Sequence, residues 1–415
     1  MSQCVPLDIQ FVRDQFPAFH HESTRDWAFL ENAGGSYVPH TVISRLQRFL
    51  VETKVQPHGP YDASKAGGQA IDEAHAHMAE MINADIDEIV IGSSTTMNVY
   101  VLANSMRSWF KPNDEIVVTN QDHEANNGAW RRLSEFGVRI REWKINPFSG
   151  ELDLNSLENL LGNHTRLVCF PHCSNIVGST NNVQEIIRRV RKTGGLTMID
   201  GVSHAPHQAI DVKALDADFY AFSLYKTYGP HLGLLYVRRD HLQRLTSQNH
   251  EQITDGLALK LNPGGVNHEE AASLSGITEY FDSLYDHHFH VPEPRRHRRI
   301  TMLFDLLSDH TNRMCFHLIR YLKTVPSVRI IGNGSESPKV RAPTVSFAVK
   351  GRSSKEIAST LATHKVAVRA GSFYAWRCTQ ALGIDPNDGV VRASMLHYNT
   401  MEEVERLISS LEEIL

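Results

Sequence analysis

Cysteine is scarce in this chain. There are five in 415 residues, Cys4, Cys169, Cys173, Cys315 and Cys378. Their number is odd, they are widely spread, and no pair stands at a metal-ligand interval. Neither a disulfide framework nor a cysteine metal site is expected. Long apolar runs are lacking, so no segment is predicted to cross a bilayer. Met1 to Gln10 has no basic head followed by an apolar core, so no secretory leader is expected, and the expected compartment is the cytoplasm. Charge of one sign is lacking too. A net charge of -5 with 21% charged residues argues against a nucleic-acid or acidic-membrane partner. The one basic cluster, Arg295-Arg296-His297-Arg298-Arg299, follows Val291-Pro292-Glu293-Pro294 and reads as a solvated loop or helix start. His287, His288 and His290 have no acidic or cysteine partner at ligand spacing, so no metal is expected there. Internal repeats and low-complexity tracts are absent.

What is present is an ordinary globular composition, 41% hydrophobic, in a chain longer than one core usually takes. A large and a small domain are expected. Glu88 to Ile91, Glu115 to Val118, Leu167 to Phe170, Leu196 to Ile199, Phe219 to Phe222 and Leu234 to Val237 each read as a buried strand. Helical patterns such as Asn182 to Lys192 lie between them. Alternating strands and helices predict an α/β fold with a mainly parallel sheet covered on both faces. Asp286 to Arg299 reads as a connector. Beyond it the pattern is α+β: a helix from Ile300 towards Leu322, strands at Val328–Ile331 and Thr344–Val349, a helix at Ser354–His364 and a strand at Val366–Arg369. A last helix spans Met401 to Leu415, with Thr400 as N-cap and Glu403 as its capping-box partner. The boundaries this predicts are 26–285 for the large domain and 286–415 for the small one, with residues 1–25 packing on the latter.

In sheets of this kind ligands bind beyond the carboxyl ends of the strands. Lys226, in Ser223-Leu224-Tyr225-Lys226-Thr227-Tyr228-Gly229-Pro230, follows a strand. A desolvated lysine there has its neutral, nucleophilic amine favoured. Asp200 ends the apolar run Leu196-Thr197-Met198-Ile199. Pyridoxal phosphate (PLP) needs an acid of this kind to keep its pyridine nitrogen protonated, although such a residue also fits a helix cap. Ser93-Ser94-Thr95-Thr96 precedes a predicted helix and offers hydroxyls and free N–H groups to a phosphate. His123 suits stacking on a ring, and Asn175 suits bonding a ring hydroxyl or making a plain turn.

Singly these are weak signals. Taken in order, the segments resemble the class V aminotransferase family, which includes cysteine desulfurases and selenocysteine lyases. The resemblance runs from Phe29-Leu30-Glu31-Asn32-Ala33-Gly34 to Val391-Arg392-Ala393-Ser394. It implies the PLP-dependent transferase fold (fold type I), with a mainly parallel seven-stranded sheet and a small α+β C-terminal domain, and a homodimer acting on a small amino acid. It implies an imine between PLP and Lys226, Asp200 on the pyridine nitrogen, and His123 stacked on the ring. Phosphate contacts fall on Ser94, Thr95 and Ser223, and further cofactor contacts on Asn175 and Ser203. Arg392, with Asn32 and Arg369, is implied to hold the substrate, Arg392 gripping its carboxylate with two parallel bonds.

Two departures stand out. Desulfurases carry a persulfide-forming cysteine in the loop that here reads Arg369-Ala370-Gly371-Ser372-Phe373-Tyr374-Ala375. Tyr374 takes that place, and a phenol cannot hold a persulfide. Cys378, four residues on, is the nearest thiol. Gly265 stands near where relatives carry a threonine for the neighbouring subunit's phosphate, and it offers only its backbone N–H. The reaction expected is therefore β-elimination, C–S or C–Se cleavage without a persulfide, with Tyr374 protonating the leaving group. The alternatives are aminotransfer, epimerisation and a non-catalytic partner protein.

Overall fold

In the computed structural model, which describes residues 6–253 and 256–415, runs that are apolar on both faces build the larger of two main sheets. Cys4 lies outside the described residues. The strands are β1 (Ile89–Gly92), β2 (Glu115–Thr119), β3 (Arg139–Trp143), β4 (Thr165–Pro171), β5 (Leu196–Asp200), β6 (Phe219–Ser223) and β7 (Gly233–Val237). Their order is β1-β7-β6-β5-β4-β2-β3. Only β7 runs against its neighbours. Successive side chains leave a strand on opposite faces. Accordingly Ile91, Val117, Val168, Ile199 and Phe222 enter one apolar cluster, while Val90, Ile116, Leu167, Met198 and Ala221 enter another. This is the fold expected for a mainly parallel sheet with helices on both faces. The sequence reading missed β3. It is an edge strand, and the charged run Arg139, Arg141, Glu142 hides its alternation.

The helices that matter below are α1 (Asp62–Met81), α2 (Thr95–Met106), α3 (Val183–Arg191), α4 (Ser275–His288), α5 (Arg296–Thr324), α6 (Ser354–Thr363), α7 (Trp376–Ala381) and α8 (Met401–Ile414). The predicted connector 286–299 is shorter than expected, because α4 runs through His288 and α5 starts at Arg296. The basic cluster opens α5, and part of it is ion-paired. Arg296 and Arg299 reach Asp282 of α4 at 3.3 and 3.0 Å, and Arg296 also pairs with Glu80 of α1. The histidines beside it fasten the leading segment. His287 stacks on Phe11 at 3.7 Å, and His288 Nε2 accepts the Asp8 N–H at 2.9 Å. Phe16 of that segment is fully buried, 5.1 Å from Tyr280 and 4.9 Å from Tyr398 between ring centroids. The segment thus packs against both parts of the chain.

The smaller sheet is antiparallel, with β8 (Val328–Ile330), β9 (Thr344–Val349), β10 (Arg369–Gly371) and β11 (Val390–Ser394) in the order β10-β11-β9-β8. The single strand predicted at 366–369 is in fact two pieces. Val366–Ala367 pairs with Ala28–Phe29, and Arg369–Gly371 pairs with β11. The capping box of α8 is present: Thr400 Oγ1 accepts the Glu403 N–H, and the Glu403 carboxylate accepts the Thr400 N–H. Among the described residues no helix is long and apolar enough to cross a membrane.

Candidate active site

Local structure delivers the predicted residues to one end of the larger sheet. Asp200 and Ser223 end β5 and β6, and Lys226 closes the short turn Leu224–Lys226. His123 follows β2, Asn175 follows β4, and Ser94 caps α2 behind β1. One cavity is lined by Ser94, Thr95, Asp122, His123, Asn175, Asp200, Val202, Ser203, Ser223 and Lys226.

One wall of the cavity is an anion cradle. Ser94 Oγ accepts the Met97 N–H at 3.1 Å and so caps α2. Thr95 Oγ1 lies 2.8 Å from Ser223 Oγ. Hydroxyls at a helix N-terminus, with the dipole behind them, suit a phosphate. β7 can come this close only as glycine, since a Cβ on Gly233 would lie 2.3 Å from the Thr95 nitrogen.

Two buried carboxyls share the interior of the site. Asp200 Oδ1 accepts the Val202 N–H at 2.8 Å. Burial nevertheless raises its pKa to about 6, against the opposing pull of that N–H and of the Lys226 amine. Asp122 is held by the His123 N–H at 3.0 Å and by Asn126 Nδ2 at 2.8 Å. Its carboxyl is pushed well above the usual range, first by burial and then by Asp200. Such a pair disfavours double ionisation and attracts a cation or a proton. Sequence reasoning gave Asp122 no role. Its place at a strand end, directly before His123, was the available signal.

The basic groups are tuned as well. Lys226 has its pKa lowered to about 8, by burial first and then by Arg392, with Asp200 opposing. His123 is depressed to about 3 by burial, with Lys226 and Arg392 acting the same way, so its imidazole is neutral at physiological pH. Its Nδ1 accepts the Ala125 N–H at 3.0 Å, which puts the ring proton on Nε2. Arg392 is buried and lowered to about 9, chiefly by desolvation. Its guanidinium stacks on the Phe373 ring at 3.6 Å and donates to the Asn175 carbonyl at 3.1 Å.

Other predicted residues are differently engaged. Asn175 lines the cavity, but its Nδ2 donates to the Phe373 carbonyl at 3.0 Å. Asn32 lies off the cavity, with its amide directed at the Phe29 and Ser394 carbonyls and at Asn399 Oδ1, while its oxygen accepts from Tyr398. It ties the chain's start to β11. Arg369 is exposed and faces Glu31 at 3.3 Å. The Gly265 N–H, the one group this residue was expected to offer a neighbouring subunit's phosphate, donates to the Asn262 carbonyl at 3.1 Å. Tyr374 is 75% exposed, with its ring centroid 5.5 Å from that of His123. Phe373 and Tyr374 both hold left-handed φ values, 49° and 58°. Cys378 is fully buried on α7 in an apolar cluster with Ile176, Val177 and Leu382, and burial pushes its thiol up to about 12. It is neither exposed nor ionised.

A family model described as Aminotransferase class-V matches residues 28–289 and 300–407. The Aminotransferase-like protein FGM3 of Gibberella zeae is 38% identical, covering 99% of each chain. The Cysteine desulfurase-like protein ustD of Aspergillus flavus is 35% identical, covering 98% of this chain and 91% of its own. Among solved structures, the apo cysteine desulfurase of Thermococcus onnurineus NA1 superposes with a TM-score of 0.85 at 25% identity, covering 100% of this chain and 98% of that one.

Proposed function

The chain belongs to the class V aminotransferase family, and we propose that it is a PLP-dependent enzyme that cleaves a Cβ–heteroatom bond of a small amino acid, without a protein persulfide. The observation that carries this reading is the pairing of a lysine of depressed pKa, Lys226, with a buried acid, Asp200, in one cavity beside a phosphate cradle. PLP fits these residues. Ser94, Thr95 and Ser223 would hold its phosphate, Asp200 its ring nitrogen, His123 and Val202 its faces, and Lys226 its aldehyde carbon. When bound, it supplies an electron sink for a bond broken at the substrate's Cα.

The chain's own groups have separable tasks. Arg392 offers a buried guanidinium to a carboxylate, and the Phe373 ring fixes its plane. The Lys226 amine is close to half-neutral near pH 8 and suits moving a proton at Cα. Neutral His123 offers an aromatic face with no charge to repel a cationic ring. Tyr374 is the hydroxyl on the loop above His123 and suits protonating a departing sulfur or selenium atom. The absence of a thiol at position 374, together with the burial of Cys378, favours release of the leaving group to solvent. We take the working form to be a homodimer, with residues 26–285 and 286–415 as its large and small domains.

The test is a screen of small amino acids that follows the cofactor absorbance and measures sulfide, alanine, pyruvate and ammonia together. Elimination releases sulfide, or the corresponding β-substituent, with pyruvate and ammonia, whereas alanine forms when the bonding electron pair stays on Cβ, as when a sulfinate substituent leaves as sulfur dioxide. Conversion of the cofactor to its amine form with none of these products would instead assign aminotransfer. Lys226→Ala should form no yellow, borohydride-reducible adduct; a variant that still forms it and keeps full turnover would refute the proposal.

A further inference from the structure

Buried cations need a counter-charge, because desolvating a guanidinium costs several kcal/mol unless something compensates it. Arginines elsewhere in this chain follow the rule. Arg45, for example, sits between Glu73 and Glu279. Among the described residues two arginines are almost wholly buried, Arg392 at 3% exposure and Arg341 at 2%. Neither has a carboxylate within ion-pair distance. For Arg392 the site above supplies the explanation, an incoming carboxylate. Arg341 has none in that cavity, which it does not line.

Arg341 lines a second cleft, of about 670 Å³, between the segment after β5 and helix α5. This cleft shares no lining residue with the first cavity. One nitrogen of Arg341, Nη2, donates to the Thr344 carbonyl at 2.9 Å and to the Val177 carbonyl at 3.4 Å. Backbone bonds hold residues 340–342 on 178–180, from the Thr180 N–H to the Val340 carbonyl at 2.9 Å and from the Ala342 N–H to the Gly178 carbonyl at 2.8 Å. The carbonyls that Arg341 meets do not neutralise its charge. Nε has no partner. A second polar atom of the cleft wall, His207 Nδ1, is also buried without a partner. The other charges of the cleft leave a positive balance. Asp309 is paired with Arg313 at 2.5 Å, which leaves one carboxylate on the lining, exposed Asp305, against two cations, Arg341 and exposed Lys339. Asn312 adds an amide, and the Ser308 hydroxyl bridges Gln208 and the His207 carbonyl.

We propose that this cleft is a second oxyanion site, in which Arg341, helped by Lys339, takes the carboxylate or phosphate group of a small solute. The inference does not rest on the reaction proposed above. It is tested by isothermal titration of the full chain, purified with PLP so that the Ser94–Thr95 cradle is filled, using inorganic phosphate in one arm and acetate in the other. Saturable binding of one anion per chain is expected. It should survive Arg392→Gln and weaken at least tenfold in Arg341→Gln. Tighter phosphate than acetate assigns a phosphorylated solute, and the reverse assigns a carboxylate. If Arg341→Gln does not fold, Lys339→Glu at the exposed rim replaces it, with at least fivefold weaker binding expected. No saturable binding of either anion, binding lost only with Arg392→Gln, or binding indifferent to both the Arg341 and Lys339 changes would overturn the proposal.

Discussion

Replacing Asp200 by asparagine should stabilise the cofactor-free chain and destabilise the loaded one. In the cofactor-free fold the Asp200 pKa stands at about 6, raised from 3.8 mainly by burial. A folded-state pKa above the unfolded value means that the native state binds the proton more tightly. Stability from this group is therefore full below pH 3.8 and is lost as pH rises through 6. With about 1.4 kcal/mol per pKa unit, the loss is roughly 3 kcal/mol at pH 8 and about half of that at pH 5. Asparagine carries no charge and can still accept the Val202 N–H, so Asp200→Asn removes that penalty. It also removes the charge that disfavours ionisation of Asp122. Urea unfolding followed by tryptophan fluorescence, at pH 5 and pH 8, measures the difference directly. The variant's advantage should about double between the two. Adding PLP should invert the order, because on the proposed reading Asp200 would meet a protonated ring nitrogen, and the penalty would become a charge-assisted bond. A cofactor-free Asp200→Asn chain that is less stable than wild type at pH 8, or an advantage that does not grow with pH, refutes the reasoning.

Three further outcomes follow from the geometry. Tyr374→Phe should slow turnover about a hundredfold or more while leaving PLP bound, the low end of what a proton donor contributes; an unchanged rate in steady-state assays discards the role. Cys378→Ala should lower stability by about 1 kcal/mol, as loss of a small buried group does, and leave sulfide release unaltered; a folded variant that loses turnover would return the sulfur chemistry to this thiol. Arg392→Lys should raise KM for the amino acid at least tenfold with a smaller effect on kcat, because an ammonium cannot make two parallel bonds to a carboxylate; an unchanged KM places the carboxylate elsewhere.

The larger sheet was legible because its central strands are covered on both faces. β4, β5 and β6 are nearly all apolar, and such runs stand out without any partner information. β3 at the edge was not legible, since a half-exposed strand of charged residues looks like loop, and β10, Arg369-Ala370-Gly371, was read only as the tail of a strand at 366–369. The residues at strand ends were legible for a related reason. Lys226, Asp200, His123 and Ser94 each interrupt or follow an apolar run, and the fold then converges them. Asn32 was not legible, because its role depends on four groups that include Ser394 and Asn399, more than 360 residues away. The hydrogen bonding of Gly265 was not legible either: the partner of a backbone N–H depends on a turn, here to Asn262, that composition does not reveal.

The loop that carries Tyr374 is mechanically joined to the substrate grip. Asn175 accepts from Arg392 through its carbonyl and donates to the Phe373 carbonyl through its amide. The Phe373 ring covers the Arg392 guanidinium, and the Tyr374 carbonyl accepts the Glu124 N–H at 2.8 Å, one residue past His123. Phe373 and Tyr374 both hold left-handed backbone conformations, which cost of order 1–3 kcal/mol each in non-glycine residues. The three tertiary contacts are what hold them there. Releasing the Asn175 amide to another acceptor in the cavity removes one of the three and leaves the strain. The loop's position and the orientation of Arg392 therefore respond together to whatever Asn175 bonds. The consequence is measurable: Asn175→Ala should alter chymotrypsin cleavage at Phe373–Tyr374 and raise KM in parallel, whereas a change in one without the other would uncouple the loop from the grip.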